Sequence, residues 1–186
     1  MSAEKEALLK IHIDRLVAEG VVEELKNVED CHASNIVVVI EQRYHCTLKK
    51  KIQRVRITCD MRSLNLAIPS SSYPIPDMEQ FRRELTQSGF KYFTNLDCHH
   101  YYHQIPIQNE CGQKLFGFYG LNRIYYYKRL PQGLKSSPPI SQAVIDTAYG
   151  LRPHAKAFLD DVTTYSRTRE EMLYTDLPLT LAIASY

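Results

Sequence analysis

The stretch from residue 157 to residue 162 constrains the fold of this chain more than any other. It reads Ala-Phe-Leu-Asp-Asp-Val, an apolar run that two adjacent carboxylates, Asp160 and Asp161, interrupt. A β-branched and hydroxyl-bearing run follows directly, which predicts two strands joined by a very tight turn. Aspartate is depleted in strands and adjacent carboxylates repel each other, so the acid pair is predicted at the tip of this hairpin, where a positive charge would offset it.

A third acid is placed in the same way, because Asp97 ends the apolar run Tyr-Phe-Thr-Asn-Leu-Asp at residues 92–97. An aspartate pair alone is more often a solvated turn. Three carboxylates at strand ends, however, suit a hard divalent cation such as Mg²⁺, which takes oxygen ligands and leaves room for substrate phosphates. The sequence therefore predicts a metal site formed by Asp97, Asp160 and Asp161.

Positive charge is concentrated in one segment rather than spread over the chain. The formal net charge of +2 is too small to indicate nucleic-acid binding by itself. The segment from Arg43 to Arg62, however, contains seven arginines and lysines but only one acidic residue, Asp60. Such a patch is typical of surfaces that meet phosphates. For the lysine run Lys49–Lys51 alone, a solvated loop explains the charge equally well.

The cysteine pattern excludes a disulfide framework. Five cysteines occur without a CxxC pair, and the amino terminus begins directly with a charged helix. Reduced thiols in an intracellular protein are therefore expected. No apolar run approaches membrane-spanning length, so no membrane partner is predicted. The Cys and His residues at 98–103 and 31–46 lack zinc-ligand spacing, and neighbours on an extended segment point to opposite faces, which leaves a structural metal-binding protein as the weakest class.

Hydrophobic periodicity predicts a mixture of helices and strands. Apolar residues at Leu9, Ile13, Leu16 and Val17 form a helical stripe that ends at Gly20. Farther along the chain, the pattern predicts strands at 35–40, 54–60, 114–119 and 124–130, a helix that Asp77 and Gln80 begin with a capping box, and a helix that runs from Pro138 to about Tyr149.

Five short segments of the sequence, in their order along the chain, resemble motifs of the reverse transcriptases of gypsy-class LTR retrotransposons and retroviruses. Several motifs in sequence are far more specific than a lone acid pair. The matching segments are residues 54–65 (R-x-x-x-D-x-R-x-L-N), Tyr73–Pro76 (YPLP), residues 96–105 (LDL-x-x-x-YHQI), residues 130–138 (LPQG and SP) and residues 158–161 (Y-x-D-D). The resemblance extends from about Leu9 to Glu171.

The resemblance implies an α+β fold, the fingers and palm of a right-hand polymerase, in which the palm is an antiparallel sheet flanked by helices and the thumb is absent. Residues 1–72 and 105–136 are expected to be fingers-like, and residues 73–104 and 137–172 palm-like. Residues 173–186 are expected to form a divergent tail, because they no longer resemble the charged helix of the family.

The resemblance also implies an RNA-directed DNA polymerase that transfers nucleotides to a primer 3'-hydroxyl with two Mg²⁺ ions, for which Mn²⁺ is a substitute. Its expected partners are an RNA or DNA template with primer, deoxynucleoside triphosphates, and the remaining polyprotein domains (thumb, RNase H and integrase). The residues at the matching positions are Asp97, Asp160 and Asp161 as metal-binding acids, Lys49 and Arg56 at the triphosphate, Tyr102 as the gate against a 2'-hydroxyl, and Gln132 at the 3' side of the nucleotide.

Four residues depart from the family pattern in or beside these motifs. Phe158 replaces a tyrosine, Tyr101 replaces a small residue, Ser141 replaces a phenylalanine, and Pro139 is unusual beside it. Tyr101 and the divergent tail motivate an alternative: a truncated or co-opted relic that binds nucleic acid without turnover. Salt-dependent binding of an RNA–DNA duplex without nucleotide addition would distinguish this alternative.

Overall fold

The computed structural model describes residues 3–26, 31–45 and 49–184, apart from the side chains of residues 41, 43, 45, 52–56 and 184. The chain divides into two compact units. The first unit comprises residues 1–68 and 103–134, and the second unit comprises residues 69–102 and 135–186. Both units combine helices with antiparallel strands, as the predicted α+β class requires.

The described part of the chain contains both helices and strands. The helices are α1 (Ala3–Ala18), α2 (Arg62–Ala67), α3 (Met78–Gln87), α4 (Tyr101–Gln104), α5 (Glu110–Lys114), α6 (Ser137–Tyr149), α7 (Arg169–Glu171), a π-helical turn (Met172–Asp176) and α8 (Leu177–Ala184). The strands are β1 (Val22–Glu24), β2 (Ala33–Ser34), β3 (Ile36–His45), β4 (Lys50–Cys59), β5 (Tyr92–Asp97), β6 (Gly117–Gly120), β7 (Arg123–Tyr127), β8 (Ala155–Phe158) and β9 (Asp161–Ser166).

The first unit is built from a four-stranded sheet and a two-stranded ribbon. The sheet has the order β1-β7-β6-β2, in which only the β2–β6 pair is parallel. The ribbon pairs β3 with β4 from Ile36 opposite Cys59 to His45 opposite Lys50. The core is formed by the buried face of α1, by side chains of the sheet and by one leucine that follows β7. These residues are Leu9, Ile13, Leu16, Val22, Phe118, Tyr125, Tyr127 and Leu134.

Two sequence predictions in this unit are confirmed only in part. The helical stripe of α1 is confirmed at Leu9, Ile13 and Leu16, whereas Val17 is largely exposed. The strand predicted over residues 114–119 begins only at Gly117, because the Asn109 side chain accepts a hydrogen bond from the Cys111 amide and starts the one-turn helix α5. A local cap therefore overrode a short apolar pattern.

The second unit contains the acid hairpin in an antiparallel sheet of order β5-β9-β8. The predicted hairpin is confirmed as β8 and β9, with Phe158 opposite Asp161. The side chains of Val162, Thr164 and Ser166 alternate along β9 and are fully buried. Because α6 packs against β8 and the π-helical turn packs against β9, this sheet face lies inside the core of the unit.

Helix α3 begins as predicted but with a different side-chain pattern. Asp77 caps the helix by accepting a hydrogen bond from the Glu79 amide. The predicted capping box with Gln80 is wrong: the Asp77 carboxylate accepts from the Glu79 amide rather than from the Gln80 amide, and the Gln80 NH₂ group donates to Glu84 one turn farther along the helix. The Gln80 side chain is thus bound to a charged acceptor on its own helix.

The carboxyl-terminal segment, expected as a divergent tail from residue 173, is helical through Ala184. Thr168 and Glu171 form a capping box at its start. Met172 and Thr180 are buried, and the Asp176 carboxylate accepts a hydrogen bond from Ser166 and pairs with His154. These contacts hold the segment to the β-sheet of the second unit. Among the described residues, no helix is long and apolar enough to span a membrane.

An ion pair joins the end of β4 to α2 in the first unit. Nε and Nη2 of Arg62 lie 2.8 and 2.6 Å from the two carboxylate oxygens of Asp60. These bonds, together with the one from the Arg62 amide, lower the pKa of Asp60 from an ordinary 3.8 to about 2. Asp60 therefore stays ionised throughout the physiological range.

The Asp60–Arg62 pair gives a testable dependence on pH. Because the pKa of Asp60 is depressed in the folded state, its contribution to stability is complete above pH 3.8 and is lost as the pH falls through about 2. An NMR titration should give a midpoint near 2 for Asp60, and Arg62→Gln should raise it toward 3.8. Arg83→Gln, an exposed change on α3, is the matched control. A midpoint near the ordinary value in the unmodified protein would contradict the ion pair.

Candidate active site

The acid hairpin turns within two residues. Because Phe158 pairs with Asp161, only Leu159 and Asp160 form the turn between β8 and β9. Leu159 has a φ of +54°, in the left-handed region that costs a residue other than glycine ~1–2 kcal/mol. A strained residue of this kind persists only where its surroundings hold it. The turn therefore needs compensating contacts.

Gln142 of α6 supplies these contacts from the interior. Its side chain is fully buried. The Oε1 atom accepts a hydrogen bond of 2.8 Å from the Leu159 amide, and Nε2 donates one of 3.1 Å to the Ala157 carbonyl. A single amide group thus holds the backbone on both sides of the strained turn.

Sequence reasoning missed Gln142, although a signal was present. Gln142 occupies the same face of α6 as the buried residues Ile145 and Tyr149, at the helical spacing of three and seven residues. A polar side chain within an otherwise buried stripe must find hydrogen-bond partners. That requirement identifies Gln142 as a residue with a specific structural task.

The strand register brings the three predicted acids together. Asp97 lies directly opposite Asp161 on neighbouring strands, at which spacing Cβ atoms are about 5 Å apart. The amide of Cys98 donates a hydrogen bond of 2.8 Å to the Asp160 carbonyl. Burial raises the pKa of the Cys98 thiol, and the charges of Asp97, Asp160 and Asp161 raise it further. All three carboxylates therefore act on the same small region.

The Asp161 carboxylate is restrained by its neighbours on the sheet. Nδ2 of Asn95 donates a hydrogen bond of 3.1 Å to Oδ1 of Asp161. The Thr163 hydroxyl in turn donates one of 3.0 Å to Oδ1 of Asn95. This arrangement fixes the Asn95 amide so that its NH₂ group faces the carboxylate. One oxygen of Asp161 is thus already engaged within the protein.

The donor set fits a metal that the substrate helps to bind. Within the part of the chain that the structure describes, no group of three or more His, Cys, Asp or Glu side chains forms a ready-made metal site. Mg²⁺ normally uses one or two carboxylates, with water and substrate phosphates as its other ligands. Asp97 and Asp160 can supply such a pair. Joint ligation by all three acids stays a prediction.

Tyr101 and Tyr102 follow the metal-site strand and differ in their surroundings. Tyr101 is buried, which raises its pKa, and its hydroxyl donates a hydrogen bond of 2.9 Å to the Ser141 carbonyl. Tyr102 is half-buried, and both its burial and the charge of Asp160 raise its pKa. The Tyr102 ring is therefore the one that lies within electrostatic reach of the acids.

Tyr101 and Ser141, two of the departures from the family pattern, meet in the core. Tyr101 is buried and its hydroxyl reaches the Ser141 carbonyl on α6, and the Ser141 side chain is fully buried. Tyr101 is thereby accommodated in the core of the second unit.

The remaining predicted residues belong to the first unit. Lys49 is exposed and precedes β4, and Gln132 is exposed on the turn after Leu130. The main chain of Arg56 pairs with Val39, whereas its side chain lies outside the described residues. The structure brings Asp97, Asp160, Asp161 and Tyr102 together in the second unit. The roles of Lys49, Arg56 and Gln132 stay predictions.

Comparison with known proteins identifies relatives over most of the chain. Residues 47–184 match the reverse transcriptase (RNA-dependent DNA polymerase) family. A polyprotein of Cassava vein mosaic virus is 27% identical over 165 residues, which cover 87% of this chain and 24% of that polyprotein. The retrovirus-related Pol polyprotein from transposon opus of Drosophila melanogaster is 35% identical over 118 residues, which cover 61% of this chain and 11% of the relative.

Solved structures confirm the predicted polymerase fold. The foamy viral protease-reverse transcriptase in complex with double-stranded DNA has a TM-score of 0.80 at 19% identity, covering 100% of this chain and 36% of that one. The same enzyme with an RNA/DNA hybrid has a TM-score of 0.79, also at 19% identity, with coverages of 98% and 22%. The chain thus spans a quarter or less of the two polyproteins and about a third or less of these two structures.

The first prediction from this geometry concerns Gln142. Gln142→Leu keeps the approximate side-chain volume but leaves the Leu159 amide, the Ala157 carbonyl and Oδ1 of Asp146 without this partner. The two backbone groups alone should lower the free energy of unfolding by ~2–4 kcal/mol, measured by urea denaturation. Gln87→Leu, at an exposed position of α3, should change it by less than ~0.5 kcal/mol. Equal effects of the two changes would contradict the bonding task of Gln142.

The buried side chains of Tyr101 and Ser141 give a second testable prediction, because Tyr101 bonds to the Ser141 carbonyl. Ser141→Phe alone should overpack the core and cost ~1–3 kcal/mol, and Tyr101→Ala alone should leave a cavity and cost ~3–5 kcal/mol. The double variant should be more stable than the sum of the two losses predicts, by ~0.5–3 kcal/mol. Urea denaturation of the four proteins measures this coupling. Strict additivity would show that the two side chains do not share one space.

Proposed function

The chain belongs to the reverse transcriptase (RNA-dependent DNA polymerase) family, and on that premise we propose that it performs the nucleotidyl transfer of an RNA-directed DNA polymerase. In this reaction the 3'-hydroxyl of a primer attacks the α-phosphate of a deoxynucleoside triphosphate, and pyrophosphate leaves. The observation that carries the proposal is the convergence of Asp97, Asp160 and Asp161 at neighbouring strand ends of the second unit.

Asp97 and Asp160 are the residues that would hold two Mg²⁺ ions, with Mn²⁺ as a substitute. When bound, these ions supply positive charge to the attacking and leaving oxygens of the displacement. The protein's own contribution is to keep two carboxylates at a fixed spacing before substrate arrives. The pairing of β5 with β9 and the Gln142 contacts to the turn support that contribution.

Asp161 has a supporting role in this proposal. Its Oδ1 atom accepts the hydrogen bond from Asn95, so that oxygen is less available to a metal than a free carboxylate oxygen. Its negative charge still acts on the site, as the raised pKa of Cys98 indicates. We assign it to electrostatic support of the two metal-binding acids, with its second oxygen available as a ligand.

Four further residues would select and hold the nucleotide. The Tyr102 ring lies within electrostatic reach of Asp160, where it would exclude a 2'-hydroxyl and so favour deoxynucleotides. Lys49 and Arg56 would contact the triphosphate, and Gln132 would lie against the 3' side of the nucleotide. The exposed positions of Lys49 and Gln132 are compatible with these contacts.

The proposed partner is an RNA or DNA template with its primer. In this assignment the first unit corresponds to the fingers and the second to the palm. The exposed lysines 49–51 at the start of β4 would meet nucleic-acid phosphates. Further polyprotein domains (thumb, RNase H and integrase) would complete the grip on the duplex. An intracellular setting is proposed because the described cysteines, Cys31, Cys59, Cys98 and Cys111, are free thiols.

The alternative, a relic that binds nucleic acid without turnover, rests on Tyr101 and the divergent tail. The burial of Tyr101 beside Ser141 and the packing of Met172 and Thr180 in the second unit favour a working site instead. Both features are accommodated within the fold. Turnover is therefore the function that the geometry supports better.

Primer extension tests this proposal directly. The folded protein should extend oligo(dT) on poly(rA) with Mg²⁺ or Mn²⁺, and Asp160→Asn should reduce the rate at least ~100-fold, because a metal-binding charge worth several kcal/mol is lost. Asp14→Asn, which changes an exposed carboxylate on α1, is the matched control and should retain the rate. Duplex binding without extension by a folded sample would favour the relic.

A further inference from the structure

We propose that Tyr73 is a positioning residue for the acid hairpin, which it reaches through Asp146 and Gln142. Its effect on catalysis rests on the proposed polymerase function, whereas its effect on the hairpin backbone does not. Tyr73 belongs to the Tyr-Pro-Ile-Pro segment, close to residue 69, where the second unit begins. In this role the connector not only joins two parts of the polypeptide but also helps to position the acid hairpin.

A continuous chain of hydrogen bonds leads from Tyr73 to the turn. The Tyr73 hydroxyl donates to Oδ2 of Asp146 at 2.8 Å. Oδ1 of Asp146 accepts from Nε2 of Gln142 at 2.9 Å. The same Nε2 atom donates to the Ala157 carbonyl, and Oε1 of Gln142 accepts from the Leu159 amide. Every member of this chain lies in the second unit.

The chemistry of the chain determines which way the Gln142 amide faces. A carboxylate can only accept hydrogen bonds, so Asp146 selects the NH₂ end of Gln142. The oxygen of the amide is then left facing the Leu159 amide. If the amide turned over, its NH₂ group would face an N–H donor and its oxygen would face two acceptors. Asp146 therefore orients the group that holds the turn.

Tyr73 in turn restrains Asp146. Both oxygens of this carboxylate have a donor, one from each side, which fixes the rotation of the side chain. Pro74 and Pro76 restrict the backbone next to Tyr73, so the ring is held without secondary structure. The hydrogen bond to Asp146 is also the main cause of the raised pKa of Tyr73.

The hydrogen-bond chain ends at Leu159, the strained residue of the hairpin. Leu159 holds its positive φ next to Asp160, whose carbonyl accepts the bond from the Cys98 amide. Loosening the Gln142 amide should therefore release both the Leu159 and the Cys98 amide bonds. The Tyr165 amide, bonded to the His154 carbonyl on the same sheet, lies outside this chain and should be unaffected.

Amide hydrogen exchange on Tyr73→Phe tests the proposal without any need for catalysis. The change removes one hydroxyl, and the Leu159 and Cys98 amides should exchange about tenfold faster, as expected for the loss of about one hydrogen bond. The Tyr165 amide should keep its rate. Tyr174→Phe, at a position that is 80% exposed in the second unit, is the matched control and should change none of the three rates.

Two exchange results would overturn the proposal. Unchanged exchange at Leu159 and Cys98 would show that Tyr73 does not hold the turn. Equal acceleration at Tyr165 would show a general loss of stability rather than a local one. As a further check, Tyr73→Phe and Asp146→Asn should be non-additive at Leu159, because both interrupt the same chain, and additive effects would count against it.

Kinetics test the catalytic consequence. In primer extension, Tyr73→Phe should lower kcat about three- to tenfold and leave the KM for the nucleotide within about twofold, because it misplaces the acids without touching substrate. Faster Leu159 exchange with an unchanged kcat would overturn the positioning role. If the unmodified protein does not extend a primer, the proposed function fails, and the exchange result alone then supports or overturns the hydrogen-bond chain.

Discussion

The side-chain amide of Gln142 is the interaction on which the acid hairpin depends. A two-residue turn with a leucine at positive φ is unfavourable by itself, yet it places two carboxylates next to a third on the adjacent strand. One buried amide satisfies the backbone on both sides of that turn. The cost of the strained backbone is thus offset by hydrogen bonds made inside the second unit, where water does not compete for them.

Different side chains hold the backbone of the hairpin and the carboxylate of Asp161. Gln142 and Asp146 act on the backbone from α6, whereas Asn95 and Thr163 act on the Asp161 side chain from the sheet. Repulsion among three carboxylates is therefore managed by geometry before any cation binds. In the proposed reaction Asp97 and Asp160 would hold the cation, and water and substrate phosphates would supply its other ligands.

Departures from a family pattern carry little meaning when they are considered one residue at a time. Tyr101 alone argues for a crowded site, and Ser141 alone argues for a hole in the palm helix. In the structure both side chains are buried, and the Tyr101 hydroxyl donates a hydrogen bond to the Ser141 carbonyl on α6. The start of α3 shows the same limit. Asp77 caps the helix as its residue type predicts, whereas the Gln80 side chain donates a hydrogen bond to Glu84 and does not complete the predicted capping box.

The sequence by itself determined the reverse transcriptase family, the α+β class, the acid hairpin and the presence of three carboxylates at strand ends. The hairpin and the acids at strand ends follow from local alternation and turn preference, which act between near neighbours, whereas the family and the fold class follow from the order of the five motifs along the sequence. Only the tertiary structure decided the register that sets Asp97 opposite Asp161, the partners of Gln142, and the hydrogen-bond chain from Tyr73. Such contacts join residues that are far apart along the chain, so their geometry exists only once the strands and α6 have packed against one another.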